Sequence, residues 1–402
     1  YLLPLKYTAW WLNYVIENVR FYGFYRDNGS VGIRNYILVI PTVACVKHIA
    51  EEISRKTRYS KYLDNAYGCG QAGKDLEQTT RTLIGCGLNP NVGAVLVISL
   101  GCEALDYERV FTEIAKSNKP TELIVVQDYG IKNSIRKGIS IVNKFKDELS
   151  RHRREEAPVS KLTIALECGG SDATSGIVSN VALGMVTDMV INLGGTVIIS
   201  EVPEFIGAEE LFAQRATDKR VKENILDLIY KFEKNLKEYG VDFLGTQPSP
   251  GNIKGGITTI EEKSLGAIRK SGTSRVHGIV DYGEKPPGPG LFLMNTPGYD
   301  IESVSGMVAG GAQVVLFTTG KGTPAGNPIT PVIKVCANPR TIKIMKECID
   351  VDLSKIILGK MTLSDGASNV FNELIEVASG KLTKAERLNF NDFGIYRVGP
   401  TY

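Results

Sequence analysis

Residues 92–103 read VGAVLVISLGCE, a run of small and β-branched apolar residues that ends in a glycine, a cysteine and a glutamate. An apolar run without polar alternation is typical of a strand buried on both faces, as in a parallel sheet. Gly101 then permits a tight turn that other residues adopt less readily. The stretch therefore predicts a buried parallel strand whose carboxyl end carries a polar loop.

The same order of strand, glycine-rich loop and helix recurs along most of the chain. Apolar runs typical of buried strands occur at 36–43, 162–166, 196–200 and 314–319, with helical segments between them. Alternation of this kind favours parallel sheets covered by helices. The predicted fold class is α/β, with two consecutive α/β units, mostly parallel sheets and glycine-rich loops at the carboxyl ends of the strands.

The charged, proline-containing segment 152–161 (HRREEAPVSK) predicts a domain boundary. The predicted domains are a first α/β domain at 23–155 and a second, catalytic one at 156–402. Residues 1–22 are predicted to be an amphipathic extension that packs on its own domain or on a partner. They lack the charged n-region and the cleavage site of a signal peptide, and polar residues interrupt them as a membrane span.

The overall composition narrows the class of function. Lys plus Arg total 47 and Asp plus Glu total 44, so we expect neither nucleic acid nor a membrane as a partner. The 42 glycines favour loops that wrap small polar ligands. Seven cysteines in a chain of 402 residues do not suggest a disulfide framework, so a cytoplasmic protein is expected. With three histidines, a multi-histidine zinc site is not expected.

Three predicted loops place cysteines and acids at the ends of strands. Their candidate metal ligands are Cys69, Cys102, Glu103, Cys168 and Asp172. Thiolates favour iron, zinc or an iron–sulfur cluster. A single cysteine is more often a small buried apolar residue, and the spacing alone does not decide between the two interpretations. The remaining cysteines are interpreted as structural: Cys45, Cys86, Cys336 and Cys348.

The loop 201–210 carries four carboxylates directly after a predicted strand. Clustered carboxylates bind hard cations or act as general acids and bases. The positive end of a helix dipole explains Glu209 and Glu210, but it does not explain Glu201 at the strand end. Glu201 is therefore a candidate catalytic residue.

Two further segments carry candidate polar residues. At 255–264, Thr258 or Thr259 is predicted to cap a helix with Glu262 completing a capping box, and Lys263 is either a functional residue or a solvated lysine. The loop 318–328 (TTGKGTPAGNP) combines hydroxyls, glycine amides and one lysine, and predicts a cradle for carboxylate or hydroxyl groups. It does not match a Walker A loop.

Taken together, these motifs resemble those of the altronate and galactarate dehydratases, a family that also includes the large subunit of sulfolactate sulfo-lyase. The resemblance runs from about Gly23 to Thr401, and the C-terminal half is closest to altronate dehydratase. The motifs that carry it are GCGQ at 68–71, NPNVGAVLVISLGCE at 89–103, ECGGSDATSG at 167–176, GGTVIISEVPEFIGAEEL at 195–211, GNIKGGITTIEEKSLGAIRKSGTS at 251–274, EKPPGPGLFLMNTPGYD at 284–300 and FTTGKGTPAGNPITPVIKV at 317–335.

The resemblance implies a hydro-lyase that converts a 2,3-dihydroxy sugar acid into a 2-keto-3-deoxy acid by metal-assisted proton abstraction at C2. Sulfo-lyase members instead expel sulfite from sulfolactate, so a sulfo-lyase large subunit is an alternative. A non-catalytic sugar-acid-binding member of the family is another. The implied cofactor is a divalent metal, Fe²⁺ or Mn²⁺, with a [4Fe–4S] cluster on three cysteines as the alternative.

Roles follow for individual residues. With so few histidines, the base is expected among Glu201, Glu262 and Lys263. The metal is expected on some of the cysteines and acids given above. The candidates for binding the substrate are Arg34, Asn35, Gln71, Ser171, Glu209, Thr319, Lys321, Thr323 and Asn327.

Two departures from the family pattern bear on chemistry and on partners. Asn65 and Asn89 stand where family members often carry histidine. Family dehydratases also have a small N-terminal domain, which the sulfo-lyases supply as a separate small subunit. The expected partners are therefore a small-molecule sugar acid, a second copy of the chain in a homo-oligomer such as a dimer, and a small subunit.

Overall fold

The computed structural model describes residues 19–402, apart from the side chain of Leu244. The predicted N-terminal extension therefore lies outside the described residues except for its last four positions. Of these, residues 20–22 already belong to a strand, Arg20–Tyr25.

The first sheet has four parallel strands in the order β4-β3-β5-β6. Its strands are β3 (Tyr36–Pro41), β4 (Ser60–Tyr62), β5 (Val92–Ser99) and β6 (Thr121–Val125). The helices around it are Lys47–Thr57, Gly73–Leu88, Tyr107–Ala115, Val126–Tyr129 and Ile131–Leu149.

The second sheet has seven parallel strands in the order β10-β11-β9-β8-β12-β13-β14. Its strands are β8 (Thr163–Cys168), β9 (Thr196–Ile199), β10 (Val276–Val280), β11 (Gly290–Met294), β12 (Val314–Thr318), β13 (Val332–Cys336) and β14 (Val351–Asp352). The helices of this unit are Asn180–Asn192, Glu209–Ala213, Lys219–Glu238, Phe243–Thr246, Pro250–Lys254, Ile260–Ile268, Asp300–Ala309, Pro339–Ile344, Ser354–Ile357, Leu363–Ala378 and Lys384–Arg387.

A small antiparallel sheet joins the beginning of the described chain to the segment between the two units. It has the order β2-β1-β7, with β1 at Arg20–Tyr25, β2 at Val31–Gly32 and β7 at Glu155–Pro158. The predicted α/β class, with parallel sheets in consecutive units, is confirmed.

One predicted element ends earlier than expected. The sequence predicts a strand over 122–127, whereas β6 ends at Val125 and a helical turn, Val126–Tyr129, follows. The last residue pair between the strands is Ser99 with Val125. Since β5 ends there, the chain beyond Val125 has no strand to pair with.

The two units share a hydrophobic core. One cluster of buried side chains combines Leu83 and Val95 from the first unit with Met307 and Val315 from the second. Among the described residues, Ser175–Asn192 is long and apolar enough to cross a membrane. Its apolar side chains pack in the core of the seven-stranded sheet, as expected of a core helix.

Helices Gly73–Leu88 and Asp300–Ala309 lie side by side and run in the same direction. Near their ends, a Cβ on Gly85 would lie 2.3 Å from the carbonyl oxygen of Ala309. At their beginnings, burial and the charge of Glu302 both raise the pKa of Tyr67. The carboxyl edges of the two sheets therefore face the same side of the molecule.

Candidate active site

The loops after β8 and β12 form a crevice at the carboxyl edge of the seven-stranded sheet. From β8 the chain continues to β9 on one side, while β12 lies on the other side, so the strand order reverses here. Such a switch point is the usual place for a ligand in an open α/β sheet. The loops are bonded together, because Gly169 N donates to Thr318 O at 3.1 Å and Lys321 N donates to Gly170 O at 3.0 Å.

Three carboxylates meet at this edge, and we call them the carboxylate triad. Glu167 lies at the end of β8, Glu201 follows β9, and Asp300 begins helix Asp300–Ala309. One oxygen of each lies within 4.8 Å of an oxygen of the other two. Glu167 and Glu201 are buried, whereas Asp300 is partly exposed.

Lys270 supplies a positive charge beside the triad. Its Nζ lies 2.5 Å from Glu201 Oε2 and 3.1 Å from Glu204 Oε2, and its side chain is 1% exposed. Lys263 Nζ lies 3.6 Å from the other oxygen of Glu204. The four side chains form a row of alternating charge from Lys263 to Glu201.

Burial and mutual repulsion raise the pKa values of Glu201 and Glu167. Burial, with the charge of Glu204 adding to it, raises the pKa of Glu201 to about 7. Burial and the charge of Glu201 raise the pKa of Glu167 well above its ordinary value. Although burial alone would lower it, the charges of Glu201 and Glu204 hold the pKa of Lys270 well above its ordinary value. A carboxylate with a pKa near neutrality beside a permanent cation is suited to accept a proton at neutral pH.

The backbone at Glu201 is in the left-handed region, with φ 67° and ψ 61°. A non-glycine residue in this region is strained by about 1–3 kcal/mol, and such strain clusters at functional sites. Here it is held by Glu201 N, which donates to Thr296 Oγ1 at 2.7 Å. Ser303 Oγ in turn donates to Glu167 Oε2 at 2.8 Å.

Cys168 contacts both the triad and a neighbouring pocket. Its backbone N donates to Glu201 Oε2 at 3.2 Å, and its Sγ lies 2.9 Å from Ser171 Oγ. Burial raises the pKa of its thiol to about 11, so it is neutral near pH 7. The pocket has a volume of about 460 Å³, and Cys168, Ser171, Asp172, Asn180 and Lys263 are among the residues that line it.

The donor set of the triad fits a hard divalent cation. Glu167 Oε1 is buried, and no hydrogen-bond partner for it occurs among the described residues. Oxygen donors from carboxylates suit magnesium, calcium or manganese better than soft metals. Acids also outnumber bases here: Glu167, Glu201, Glu204 and Asp300 lie together with Lys263, Lys270 and Lys334.

The predicted catalytic residues occupy different environments. Glu201 is central, and Lys263 lines the pocket. Glu262 is exposed and caps its helix as predicted: its Oε2 accepts from Thr258 N at 2.8 Å, and Thr259 Oγ1 accepts from Glu262 N at 3.2 Å. These contacts give Glu262 a structural role.

The predicted metal ligands do not come together at the triad. Cys69 and Cys102 are exposed and lie on the four-stranded sheet. Glu103 accepts from Thr42 Oγ1 at 2.5 Å and from Gly101 N at 2.8 Å. Asp172 accepts from Thr174, Ser175 and Asn338, so its oxygens hold loops together. A metal on this predicted set stays a prediction.

Arg34, the predicted carboxylate binder, is fully engaged within the protein. Two of its N–H groups donate to Glu386, at 2.7 and 2.8 Å, and the other three donate to backbone carbonyls. Asn35 accepts from Arg26, and the buried Gln71 bonds Gly68 and Thr79. These contacts leave the three side chains little capacity for a substrate.

The remaining predicted binding residues lie on the loops of the seven-stranded sheet. Ser171 lines the pocket, and Lys321 is exposed. Thr319 Oγ1 accepts from Gly322 N and Thr323 N, while Thr323 Oγ1 lies 3.5 Å from it. Glu209 accepts from Gly207 N at 2.5 Å, and the buried Asn327 Nδ2 has no partner among the described residues.

The sequence analysis assigned no individual role to four residues of the site: Glu167, Glu204, Lys270 and Asp300. Glu167, Glu204 and Asp300 stand inside the quoted motifs, and their position after a strand was the available signal. Lys270 lies just beyond the helix that Thr259 caps. That helix ends at Ile268, and the 3₁₀ turn Arg269–Ser271 directs Lys270 into the core.

Asn65 and Asn89 both serve the backbone. Asn65 Nδ2 donates to Pro41 O at 3.0 Å, and its Oδ1 accepts from Tyr67 N at 3.0 Å. Asn89 Nδ2 donates to Val308 O and Ala312 O, both at 2.9 Å, which ties the first unit to helix Asp300–Ala309.

Comparison with known proteins gives family matches over most of the chain. The model described as D-galactarate/Altronate dehydratase, C-terminal, matches residues 159–401. The model described as D-galactarate dehydratase/Altronate hydrolase, second domain, matches residues 23–150.

Curated relatives agree with these matches. Altronate dehydratase of Bacillus subtilis is 36% identical over 398 residues, covering 96% of this chain and 80% of the relative. The (2R)-sulfolactate sulfo-lyase subunit beta of Chromohalobacter salexigens is 38% identical over 380 residues, covering 94% of this chain and 97% of the relative. Galactarate dehydratase (L-threo-forming) of Escherichia coli is 33% identical over 387 residues, covering 91% of this chain and 74% of the relative.

Proposed function

Because the chain belongs to the D-galactarate/altronate dehydratase family, we propose that it is a hydro-lyase acting on a 2,3-dihydroxy sugar acid. The product would be a 2-keto-3-deoxy acid. The observation that carries this proposal is the buried Glu201, with a pKa near neutrality, bonded to Lys270 within a group of carboxylates.

In this proposal Glu201 takes the proton from C2 of the substrate. The electron pair of the C2–H bond forms the C2–C3 double bond, and the C3 hydroxyl leaves as water after accepting a proton. Lys263, which lines the pocket, is the proposed donor of that proton. The resulting enol becomes the 2-keto acid by tautomerisation.

Lys270 has a positioning role in the same scheme. Its ammonium holds the Glu201 carboxylate in one orientation and lowers the penalty of ionising a buried acid. Glu204 joins Lys270 to Lys263, so the two lysines are held at a fixed separation.

Glu167 and Asp300 are the residues that would hold a divalent cation beside Glu201, with Mn²⁺ or Fe²⁺ as the proposed ion. When bound, such a cation stabilises the negative charge that develops on the substrate carboxylate as the C2 proton leaves. Glu167 Oε1 is the atom of this group with no protein partner among the described residues.

The second candidate substrate is (2R)-sulfolactate, because the relative that is 38% identical is named for that reaction. The elementary step is the same: removal of the proton next to the carboxylate and loss of the group on the neighbouring carbon. The leaving group is sulfite instead of water.

That relative is named as a subunit, so we also propose that the chain assembles with a second protein or with itself. Light scattering of the purified chain, alone and with a candidate small subunit, tests this. A monomer with full activity would contradict it.

A substrate panel tests the activity. The full chain is incubated anaerobically with Fe²⁺ or Mn²⁺ and with altronate, galactarate or sulfolactate, and 2-keto acid and sulfite are assayed. We expect 2-keto acid from one sugar acid, and Glu201→Gln should lower kcat by at least about 10²-fold. Glu262→Gln is the matched control and should change kcat less than about threefold, since Glu262 only caps a helix.

Three results would count against the proposal. Release of sulfite from sulfolactate would favour the sulfo-lyase reaction over the hydro-lyase reaction. Binding of a sugar acid without turnover would make the chain a non-catalytic member of the family. An unchanged rate in Glu201→Gln would remove Glu201 from the chemistry.

A further inference from the structure

The carboxyl edge of the four-stranded sheet carries three cysteines, and we call it the thiol edge. Cys45 lies in the 3₁₀ turn Ala44–Val46 after β3, Cys69 in the loop after β4 and Cys102 in the loop after β5. All three are exposed, and the other four cysteines of the chain are buried. Cysteine is among the most often buried residue types, so three exposed ones on a single edge call for an explanation.

Hydrogen bonds hold the three loops against one another. Ala44 N donates to Tyr67 O at 2.9 Å, which joins the Cys45 turn to the Cys69 loop. Leu105 N donates to Gly68 O at 3.0 Å, which joins the Cys69 loop to the Cys102 loop. Thr42 Oγ1 donates to Glu103 Oε1 at 2.5 Å, which closes the set. Each cysteine is therefore fixed relative to the other two.

Glycines make this close approach achievable. Gly68 has φ 108°, and a Cβ there would lie 2.1 Å from Thr42 O. Gly101, before Cys102, has φ 114°. The loop of Cys69 is also bonded to residue 402, since Tyr402 N donates to Gly70 O at 3.0 Å, and the helix after the loop is bonded to Gly399, whose N donates to Asp75 Oδ2 at 2.6 Å.

We propose that Cys45, Cys69 and Cys102 bind a [4Fe–4S] cluster as thiolates and leave its fourth iron open to a small oxygen ligand. Thiolates are the ligands that such clusters take from proteins. Each thiol releases one proton on binding. The cluster is independent of the proposed function, because its ligands lie on a different sheet from the carboxylate triad.

The three thiols are not gathered as closely as a single zinc ion requires. Thiolates on one tetrahedral zinc lie about 3.8 Å apart, given a Zn–S bond of about 2.3 Å. In the described part of the chain, the group of three potential ligands found within 4.8 Å of one another is the carboxylate triad, so the three thiols are not gathered that closely. A cluster accepts wider spacing because each thiolate binds a different iron.

Cys45 takes the place of Cys168 in this assignment. The sequence analysis interprets Cys45 as a structural residue, but its side chain is exposed. Cys168 is buried on the other sheet and contacts Ser171. Since both carboxyl edges face the same side, the open iron would face the side on which Asp300 reaches solvent.

The test uses the full chain, purified and reconstituted anaerobically with iron and sulfide. We expect a broad absorption band near about 400 nm and about four iron and four sulfide atoms per chain. Cys45→Ser, Cys69→Ser and Cys102→Ser should each lose most of the band and the iron. Cys168→Ser and Cys348→Ser are the controls and should retain both, and circular dichroism of each variant shows that it is folded.

Several results would overturn the proposal. They are a wild-type chain without the band, a Cys45→Ser variant that retains band and iron, and a Cys168→Ser variant that loses them. One equivalent of zinc in place of iron, or a disulfide between two of the three cysteines by mass under non-reducing conditions, would also overturn it. Absorbance and metal content are read without substrate, so a failure here leaves the proposed hydro-lyase activity untouched.

Discussion

The two carboxyl edges of this molecule are built from the same pattern of strand, glycine loop and helix, yet they present opposite chemistry. At the carboxylate triad Glu167, Glu201 and the neighbouring Lys270 are buried, and Lys270 pairs with Glu201 and Glu204. The thiols of the thiol edge are exposed, and hydrogen bonds between its loops leave the three thiols out. The difference teaches that burial fixes proton affinities at one edge, whereas exposure leaves the other free to take a ligand.

Replacing Lys270 by Met should give the largest effect, because it leaves Glu201 and Glu204 buried without a counter-charge. Breaking a buried ion pair on one side lowers the free energy of unfolding by about 3–5 kcal/mol, and activity should be lost with it. Urea unfolding measures the change. Lys321→Met, at an exposed lysine, is the control and should stay within about 0.5 kcal/mol. Equal stability of the two variants would show that the buried charges are not coupled.

The next largest effect is the pH dependence that the buried Glu201 gives to activity and to stability. Burial raises its pKa from 4.5 to about 7, so kcat/KM should rise with pH through about 7 as the base ionises. The sign for stability is opposite: the folded state binds this proton more tightly than the unfolded chain, so the contribution of Glu201 to stability falls as pH rises from 4.5 to about 7.

Glu201→Gln should remove both effects. Profiles of rate and of unfolding free energy are compared for the wild type and this variant. A wild-type rate that is flat between about pH 5.5 and about pH 8 would contradict the assignment of Glu201 as the base.

Arg34→Lys should have a moderate effect, confined to stability. Lysine cannot reproduce the five donors that reach Glu386 and three carbonyls, so we expect a loss of about 1–3 kcal/mol in unfolding free energy. KM should change less than about twofold. Arg55→Lys, at an exposed arginine paired with Glu52, is the control. A large rise in KM with unchanged stability would show that Arg34 binds the substrate.

Cys102→Ser should have the smallest effect on the iron-free protein. Its side chain is exposed, so the free energy of unfolding should change by less than about 0.5 kcal/mol. Cys86→Ser, at a fully buried thiol, should instead lower it by about 1–3 kcal/mol, since a hydroxyl is then buried in an apolar core. Similar losses of unfolding free energy in the two variants would contradict the different burial of Cys102 and Cys86.

Local pattern predicted much of the fold and part of the site. Apolar runs and glycines gave the strands, the loops and the place of Glu201, because these depend on neighbours in the sequence. The exposure of Cys45 was missed because the turn Ala44–Val46 continues an apolar run. The pairing of Glu201 with Lys270 was also missed, since Lys270 lies 69 residues from Glu201 and 66 residues from Glu204 along the chain.

Such pairings depend on how helices end and on which strands become neighbours. Lys270 enters the core because its helix stops at Ile268, and Asp300 joins the triad because β11 lies beside β9. Neither the end of that helix nor the pairing of β11 with β9 can be predicted from a short segment of sequence. Arg34 shows the reverse case: a residue type suited to binding carboxylate was used to hold Glu386.

The contacts of residues 399–402 with the Cys69 loop and the helix after it set an order of events during synthesis. Residues 399–402 are translated after everything else described here, yet they bond Asp75 and Gly70. Domains commonly fold as they leave the ribosome, beginning with the N-terminal one. In this protein the first unit can complete its helices early, but the loop of Cys69 acquires its final support only when translation has passed residue 402.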